Sequence, residues 1–386
     1  MERSVLHCDA NCYYASVECL YHPEIRDKPV VVGGNEETRH GIVLTGNEKA
    51  KKLYSIKTGM SLADARLLCP KLIVMPPNYP GYIRFSKMLR RIYSDYTDMI
   101  EPFGLDECWL DVTGSRLLFG SPEEIAEDIR KRVKFELGIT VSVGVSWNKI
   151  FAKLGSDYKK PDAVTVINKD NYKEIVYPLP VSDLLMVGPA TTRKLKNHGI
   201  YTIGELADAP PEMLAAFLGK MGYVLHSFAN GYENASVSVS GSTPLIKSVG
   251  NGITAPRDLM NEEDIKSVQY VLAESVARRL REQGLKGRVV SIGIRDKNLF
   301  SFTRQSKLSS ATNDTRKLQS TALKLFNSNY SFETMPPVRA LTVSVSELCD
   351  ENDSFQLDMF EDNELAERLD RLNHAVDGLK DRFGSD

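Results

Sequence analysis

The sequence predicts an α/β (α+β) protein built from several domains. The first 165 residues alternate short β-branched runs with amphipathic helical patterns, and residues 170–235 show only short helical patterns. Residues 244–349 follow the order β-α-β-β-α-β, which is typical of a compact sheet with both helices on one face and the other face open to a ligand. A chain of 386 residues has room for about two to four domains.

The first region is predicted to hold most of the strands and two well-marked helices. Ser121-Pro-Glu-Glu124 is a capping box with proline in the first turn, so one helix begins there and runs to about residue 137. A second helix over about 148–158 is expected to carry Lys149 and Lys153 outward, because its apolar residues share the opposite face. The predicted strands are 4–9, 29–33, 42–45, 72–75, 107–112, 140–145 and 163–167.

The later regions are separated by small polar residues at 236–243, which are predicted to form a linker. Before it, residues 185–200 read as two helical turns around a glycine-containing loop, with a helix near 203–207. That loop is either a phosphate seat formed by backbone N–H groups or a plain helical corner, and the pattern favours neither. After the linker, the predicted strands are 245–254, 288–296, 299–305 and 338–347, and the helices are 262–283 and 312–327.

Charge is unevenly distributed along the chain. The formal net charge is −2, yet residues 244–349 carry 16 Lys/Arg against 10 Asp/Glu, and residues 350–386 carry 4 against 12. A basic module followed by an acidic tail fits contact with phosphate backbones.

The acidic tail contains a short apolar peptide, Phe355–Phe360, and a predicted amphipathic helix. Leucine, valine and phenylalanine recur at steps of 4, 3, 4, 3 and 4 from Leu365 to Phe383. We expect this helix to dock on the protein's own surface, with a partner groove or self-association as the alternatives.

Several protein classes are excluded or disfavoured. No run approaches the roughly 20 apolar residues of a membrane helix, and the start leaves no space for a signal peptide, so we expect a cytoplasmic protein without membrane contact. The six cysteines form no Cys-x-x-Cys pair and are expected to be core thiols, while the six histidines lie singly and are expected to be structural or exposed. No Gly-x-x-x-x-Gly-Lys-Ser/Thr loop occurs, which disfavours a P-loop hydrolase.

Three acids are the candidate catalytic residues. Asp106 and Glu107 follow Gly104, which allows the backbone to turn, and Asp9 ends the first apolar run of the chain. If the two runs are neighbouring strands, three carboxylates converge at one end of a sheet. Such hard oxygen ligands suit Mg²⁺ or Mn²⁺. The alternative is that Asp106 and Glu107 are ordinary turn acids.

Phosphate-binding groups accompany these acids. Lys160 lies at a chain reversal after the helix over 148–158, and Thr45 begins a segment rich in lysine. Carboxylates and lysines without a histidine or serine nucleophile fit phosphoryl or nucleotidyl transfer, in which two metal ions align the attacking and leaving oxygens.

Together these segments resemble the Y-family DNA polymerases of the DinB-like, bacterial translesion polymerase type, over about residues 4–347. The resemblance rests on His7-Cys-Asp-Ala-Asn-Cys-Tyr-Tyr-Ala-Ser-Val-Glu18, on Gly104-Leu-Asp-Glu-Cys-Trp-Leu-Asp-Val112 and on Val143-Gly-Val-Ser-Trp-Asn-Lys-Ile-Phe-Ala-Lys-Leu-Gly-Ser-Asp-Tyr-Lys-Lys-Pro161. It implies a palm (1–10 and 76–169), small fingers (11–75), a helical thumb (170–235) and, after the linker, a βαββαβ little finger (244–349). Residues 350–386 would be a tail carrying a clamp-type peptide.

The resemblance also implies roles for individual residues. Asp9, Asp106 and Glu107 would hold two Mg²⁺ ions (Mn²⁺ being the other candidate) with the carbonyl of Ala10, and Asp9 and Asp106 would bridge them. Tyr14 would be the steric gate against ribonucleotides. The other implied contacts are Tyr13, Thr45, Lys51 and Lys160 to the nucleotide, Gly188, Ala190, Lys247 and Arg304 to DNA, and Gln356, Leu357, Met359 and Phe360 to a sliding clamp.

Four departures from the family pattern stand in this chain. The usual Tyr and Arg of the triphosphate helix appear as Glu48 and Lys51 (or Lys52), and one extra residue lies within 53–56. The residue before the catalytic turn is Gly104, and the thumb loop reads Gly188-Pro-Ala. Because lysine keeps the charge of arginine but loses its fork of donors, we expect weaker nucleotide binding rather than an inactive site.

The sequence therefore predicts a magnesium-dependent, DNA-templated DNA polymerase of the translesion class that acts in DNA repair. Its substrates would be primer-template DNA and dNTPs, its further partner a sliding clamp, and its state a monomer. The alternatives are a catalytically silent DNA-binding or clamp-binding relative and a nucleotide cyclase on a similar palm.

Overall fold

The computed structural model describes residues 2–35, 37, 39, 41–242, 245–351 and 363–384. It divides into two compact units, residues 1–34 with 42–242 and residues 35–41 with 243–386. The strands are β1 (Val5–Ala10), β2 (Val30–Gly33), β3 (Val43–Gly46), β4 (Ile73–Met75), β5 (Ile100–Phe103), β6 (Glu107–Asp111), β7 (Val141–Ser146), β8 (Val164–Val166), β9 (Ser248–Leu259), β10 (Leu285–Asp296), β11 (Ser301–Thr312) and β12 (Val338–Asp350).

The α-helices include those that the sequence predicted and several more in the first unit. They are α1 (Tyr13–Tyr21), α2 (Glu48–Tyr54), α3 (Leu62–Leu68), α4 (Tyr79–Ser94), α5 (Arg116–Phe119), α6 (Pro122–Arg132), α7 (Lys149–Tyr158), α8 (Tyr172–Val176), α9 (Pro189–Asn197), α10 (Ile203–Asp208), α11 (Pro211–Leu218), α12 (Lys220–Ala229), α13 (Glu262–Arg281), α14 (Thr315–Asn327) and α15 (Asn363–Phe383).

The first unit is organised around a five-stranded sheet in the order β5-β6-β1-β7-β8. β1 lies in the middle and pairs antiparallel with both β6 and β7. All six residues of β1 are buried, which agrees with its continuous apolar run. A smaller sheet, β3-β2-β4, and the short helices α8–α12 complete this unit.

Local sequence signals account for the helices that border the sheet. The predicted capping box is present at the start of α6, where Ser121 accepts from the Glu124 N–H and Glu124 accepts from the Ser121 N–H. Asn148 caps α7 through the N–H of Phe151, at 2.8 Å. These caps fix where each helix leaves the sheet.

The predicted linker is partly a structural segment. Val237 is buried against Val5, Trp109 and Ala152, and the Ser238 N–H donates to Glu101 at 2.9 Å. The first residues of the predicted linker are therefore anchored on the first unit by one buried valine and by hydrogen bonds.

The second unit confirms the predicted β-α-β-β-α-β order. Its antiparallel sheet has the strand order β11-β10-β12-β9, and α13 and α14 pack on one face of it. Val290, Ile292 and Ile294 point into that core, whereas Ser291 and Gly293 alternate onto the open face. The strands are longer than predicted, because polar residues at their ends continue the ladder.

α15 lies on this second unit through its polar side. Its polar side contacts α13, with Asp377 accepting from the buried guanidinium of Arg281 at 2.6 and 2.9 Å. The apolar side chains Leu372 and Leu379 remain 48% and 57% exposed. Docking on the protein's own surface is confirmed, and polar side chains rather than the apolar ones make the contacts.

A close backbone approach sets the position of α7 against the sheet. A Cβ atom added at Gly144 of β7 would lie 1.8 Å from the carbonyl oxygen of Ala152 in α7. Only glycine allows this contact, so α7, which leads to Lys160, sits directly on the central strands.

We expect Gly144→Ala to lower the free energy of unfolding by about 3 kcal/mol or more, since the backbone of α7 must move. Gly114→Ala is the matched control, because nothing lies within 4 Å of its added Cβ. Urea unfolding of both variants measures the difference. Equal free energies of unfolding for the two variants would show that the approach of α7 to β7 is not a constraint.

Candidate active site

The three candidate acids meet at one end of the five-stranded sheet. β1 pairs with β6 in a register that places Asp9 opposite Glu107, and the Ala10 N–H donates to the Asp106 carbonyl at 3.0 Å. Gly104, with φ +91°, makes the predicted turn between β5 and β6. This turn places Asp106 just before the strand and Glu107 at its first position, so both lie beside the end of β1.

Two lysines neutralise these carboxylates. Lys160 Nζ lies 2.6 Å from Asp9 Oδ2, and Lys153 Nζ lies 2.5 Å from Glu107 Oε2. The expectation that Lys149 and Lys153 point outward is wrong, since their side chains are 10% and 16% exposed. The apolar stripe of α7 correctly located one buried face, but the flanks of that helix are covered by the acids of β5 and β6.

The pKa values reflect competition between burial and these ammonium groups. Burial raises the pKa of Asp9 to about 7, although the ammonium of Lys160 opposes this change. Burial also raises the pKa of Asp106. Burial acts the same way on Glu107, but the neighbouring His7 and Lys153 outweigh it and lower its pKa to about 2. Asp9 is thus the carboxylate that most needs a cation.

His7 is a buried neighbour of the acids that sequence reasoning missed. Its ring is fully buried, with Nε2 3.2 Å from Glu107 Oε2 and Nδ1 2.7 Å from Ser156 Oγ. Burial lowers the pKa of the imidazole. The available signal was strand periodicity, because residues two apart in a strand share a face and His7 precedes Asp9 by two.

A cavity of about 290 Å³ collects nearly all of the predicted reactive groups. The acids and the backbone of Ala10 line one side of it. The predicted nucleotide-contacting residues that line the same cavity are Tyr13, Tyr14, Thr45, Lys51 and Lys160. Segments that lie up to about 150 residues apart in sequence therefore form one site.

Comparison with known proteins identifies the family. Residues 8–157 match the impB/mucB/samB family, and residues 246–359 match the C-terminal domain of that family. The chain is 51% identical over 384 residues to a DNA polymerase IV of Acetivibrio thermocellus, covering 100% of this chain and 96% of the relative. This chain belongs to the impB/mucB/samB family.

Further relatives agree with this assignment. A DNA polymerase IV of Moorella thermoacetica is 40% identical, covering 99% of this chain and 94% of that protein. A solved Y-family DNA polymerase chimera aligns with a TM-score of 0.77 at 23% identity, over 89% of this chain and 98% of that chain, and shows the same fold. The predicted resemblance, fold and DNA-directed DNA polymerase activity are confirmed.

Membership of the impB/mucB/samB family has consequences for substrates and cofactors. A DNA polymerase of this kind uses template-primer DNA and dNTPs and depends on divalent metal ions. Among the residues that the structure describes, no group of three His, Cys, Asp or Glu side chains is arranged to hold a metal ion. The donor set nevertheless fits one, because three oxygen-ligand side chains meet where two ammonium groups now supply the positive charge.

No helix in the described part of the chain is long and apolar enough to cross a membrane.

The aromatic residues beside the cavity form a fixed stack. The ring of Tyr14 stacks on Tyr82 with centroids 4.2 Å apart and planes 13° apart. Tyr82 is fully buried, and its hydroxyl donates to Glu18 Oε1 at 2.6 Å. The Tyr13 hydroxyl donates to the Tyr82 carbonyl at 2.6 Å. Tyr82 therefore holds the ring of Tyr14 in one orientation at the edge of the cavity.

Glu48, the acid that departs from the family pattern, also lines the cavity. Its Oε2 lies 2.8 Å from Lys52 Nζ, and its Oε1 accepts from Cys12 Sγ at 3.3 Å. Burial raises the pKa of this carboxyl, but the bonds from Lys52 and Cys12 outweigh burial and leave it lowered. Glu48 is thus a charged residue neutralised locally by Lys52, and Lys51 is left to face the cavity.

The predicted DNA contacts occur in both units. Gly188 and Ala190 are exposed at the start of α9, beside a cavity of about 600 Å³ that is lined by Pro189, Arg193 and Lys196. In the second unit Lys247 is exposed at the beginning of β9. DNA binding by these residues stays a prediction.

Arg304 does not lie on the open face of the second sheet. It pairs in register with the buried Ile292, and its guanidinium contacts Asn329 at 3.0 Å and the ring of Phe302 at 4.9 Å. It therefore lies on the helix side of an edge strand. The open face instead carries small polar residues such as Ser291, Gly293, Thr342 and Ser344, together with Arg295.

The predicted clamp peptide follows β12 in the sequence. Gln356, Leu357, Met359 and Phe360 lie outside the described residues.

The cysteine prediction is confirmed, since all six are free thiols, four of them buried and two half-buried.

Proposed function

We propose that this chain extends primer ends opposite normal or damaged template bases by two-metal nucleotidyl transfer, with Asp9, Asp106 and Glu107 as the metal-binding acids. The observation that supports this most is the single cavity shared by the three acids and the five predicted nucleotide contacts. Mg²⁺ suits the site because its ligands would be carboxylate oxygens and the Ala10 carbonyl, and Mn²⁺ accepts the same ligands.

The proposed reaction joins two substrates in line. The 3′-hydroxyl oxygen of the primer attacks the α-phosphorus of a bound dNTP, the bond to the leaving phosphate oxygen breaks, and pyrophosphate departs. Bound divalent ions would activate the hydroxyl and offset the charge that develops on the phosphate oxygens. The acids keep fixed positions relative to one another because β1 and β6 are paired in the sheet.

The lysines have a second role when nucleotide binds. Burial lowers the pKa of Lys160, but its contacts with Asp9 and Asp157 outweigh burial and raise it, so the side chain stays charged. We propose that Lys160 exchanges Asp9 for a triphosphate oxygen, and that Lys51 meets the triphosphate from α2. A lysine contributes a point charge rather than a fork of donors, which fits weaker nucleotide binding than an arginine would give.

Tyr14 is proposed as the gate that excludes ribonucleotides. Its ring borders the cavity and is held by the stack on Tyr82. A ring fixed in this way cannot turn aside for an added 2′-hydroxyl, so exclusion is steric.

Two further partners belong to the proposal. Gln356, Leu357, Met359 and Phe360 would bind a sliding clamp as an extended peptide, and this rests on their sequence alone. The protein would act as a cytoplasmic monomer. A silent DNA-binding relative is the competing function, and the retained acids and nucleotide cavity count against it.

We expect Asp106→Ala to lower the rate of primer extension by at least about a thousandfold while leaving DNA binding nearly unchanged, because loss of a metal ligand removes several kcal/mol of transition-state stabilisation. Primer extension with Mg²⁺ and filter binding of the same DNA measure the two effects. Asp27→Ala is the control, since its side chain is 94% exposed. An Asp106→Ala protein that still extends primers would refute the assignment.

We expect Tyr14→Ala to raise the use of ribonucleotides relative to deoxynucleotides by at least about tenfold, because the clash with the 2′-hydroxyl is removed. Single-nucleotide incorporation of dNTP and rNTP gives the ratio of kcat/KM. Tyr21→Ala, a half-exposed tyrosine of the same helix, is the control. An unchanged ratio in Tyr14→Ala would assign the gate to another residue.

A further inference from the structure

The C-terminal helix α15 presents an apolar surface that its own unit does not cover. Asn373, Asp377, Lys380 and Asp381 bind it to the second unit, through Asp314, Arg281, Glu274 and Arg278. The buried ion pair is that of Arg281, whose side chain is 3% exposed. The docking face of α15, which is the side that carries these four residues, therefore makes its contacts through polar and charged side chains.

The apolar residues of α15 lie beside that docking face and point to solvent. Leu372, Val376, Leu379 and Phe383 are between 39% and 75% exposed. Their spacing of 4, 3 and 4 is that of a coiled-coil seam, which is narrower than the stripe of a helix packed on a globular core. A seam of this type normally lies against another helix.

The exposed surface extends onto the neighbouring helix. Tyr270 and Val271 of α13 are 53% and 62% exposed. They precede Glu274 by four and three positions, so they share the helix face that meets Lys380 of α15. We call Leu372, Val376, Leu379, Phe383, Tyr270 and Val271 the α15 surface. Apolar patches of this kind on a folded protein mark interaction sites.

The charged residues on the free flank of α15, which is the side opposite its docking face, indicate which kind of partner fits. Opposite the docking face, α15 carries Arg368, Arg371 and Arg382, all exposed, with the small residues Ala375 and Gly378 between them. Cations beside an apolar seam attract acidic residues in the flanking positions of a partner helix, and small residues permit close approach.

A second copy of this chain fits less well. In an antiparallel pair of α15 helices the arginines of the free flanks would face one another, and like charges there oppose pairing. In a parallel pair of α15 helices, the arginine-bearing flank of one helix would meet the docking flank of the other. That docking flank is already covered by α13. We propose that the α15 surface binds an amphipathic helix of another protein whose apolar seam is bordered by acidic residues.

The test uses the full chain and two synthetic helices of about three heptads with leucine at the seam positions. One peptide carries Glu at the flanking positions and the other carries Lys. Fluorescence anisotropy should show binding of the acidic peptide at least about tenfold tighter than binding of the basic peptide, with an affinity that falls as salt is raised.

Variants locate the binding to this surface. Leu379→Asp should weaken binding of the acidic peptide by at least about tenfold, since an unpaired carboxylate enters the seam. Leu299→Asp is the matched control, being an equally exposed leucine of the same unit outside the surface. The double variant Arg371→Glu, Arg382→Glu should invert the preference between the two peptides, and primer extension should stay unchanged in all variants.

Three results would overturn the proposal. They are binding of neither peptide, equal binding of both, and binding that Leu379→Asp leaves intact. Sedimentation that shows concentration-dependent dimers of the wild type, lost in Leu379→Asp, would assign the surface to a second copy instead. Because primer extension is measured separately, none of these results bears on the proposed catalytic residues.

Discussion

The pairing of β1 with β6 is the constraint on which the site depends. A register that sets Asp9 opposite Glu107 brings acids nearly 100 residues apart to one sheet end, and a shift by a single residue would turn one of them to the other face. The turn at Gly104 fixes that register from one side, and the central position of β1 fixes it from the other. The arrangement of the acids thus follows from the ordinary pairing of two strands.

That pairing creates an electrostatic cost that the fold offsets with lysines. Burial raises the pKa of Asp9 and of Asp106, and the neighbouring charge of Glu107 adds to this effect at both. Lys153 and Lys160 come from α7 and the turn after it, and the close approach of α7 to β7 at Gly144 places them there. In the proposed function, Lys160 then exchanges Asp9 for a triphosphate oxygen.

Local patterns in the sequence located the strands that carry the acids and the helices α6 and α7 beside them. Alternation and capping located β1, β6, α6 and α7, and the glycine at 104 predicted the turn that joins Asp106 and Glu107 to the site. What failed depended on tertiary neighbours. A helical repeat located the apolar face of α7 but could not show that Lys153 meets Glu107, and an amphipathic stripe in α15 could not show that polar contacts would outweigh it in docking. Strand periodicity places His7 on the face of Asp9, but only the pairing of β1 with β6 shows that it meets Glu107.

The most direct test of this account is Mn²⁺ binding measured by electron paramagnetic resonance of the free ion, which needs neither DNA nor turnover. If Asp9, Asp106 and Glu107 form one cation site, then Asp9→Asn, Asp106→Asn and Glu107→Gln each weaken Mn²⁺ binding, and combining two of them weakens it by less than the sum of the separate losses. Lys160→Met should strengthen binding, because it removes a competing cation from Asp9. Mn²⁺ binding that is unaffected by Asp9→Asn while Asp106→Asn abolishes it would contradict the account.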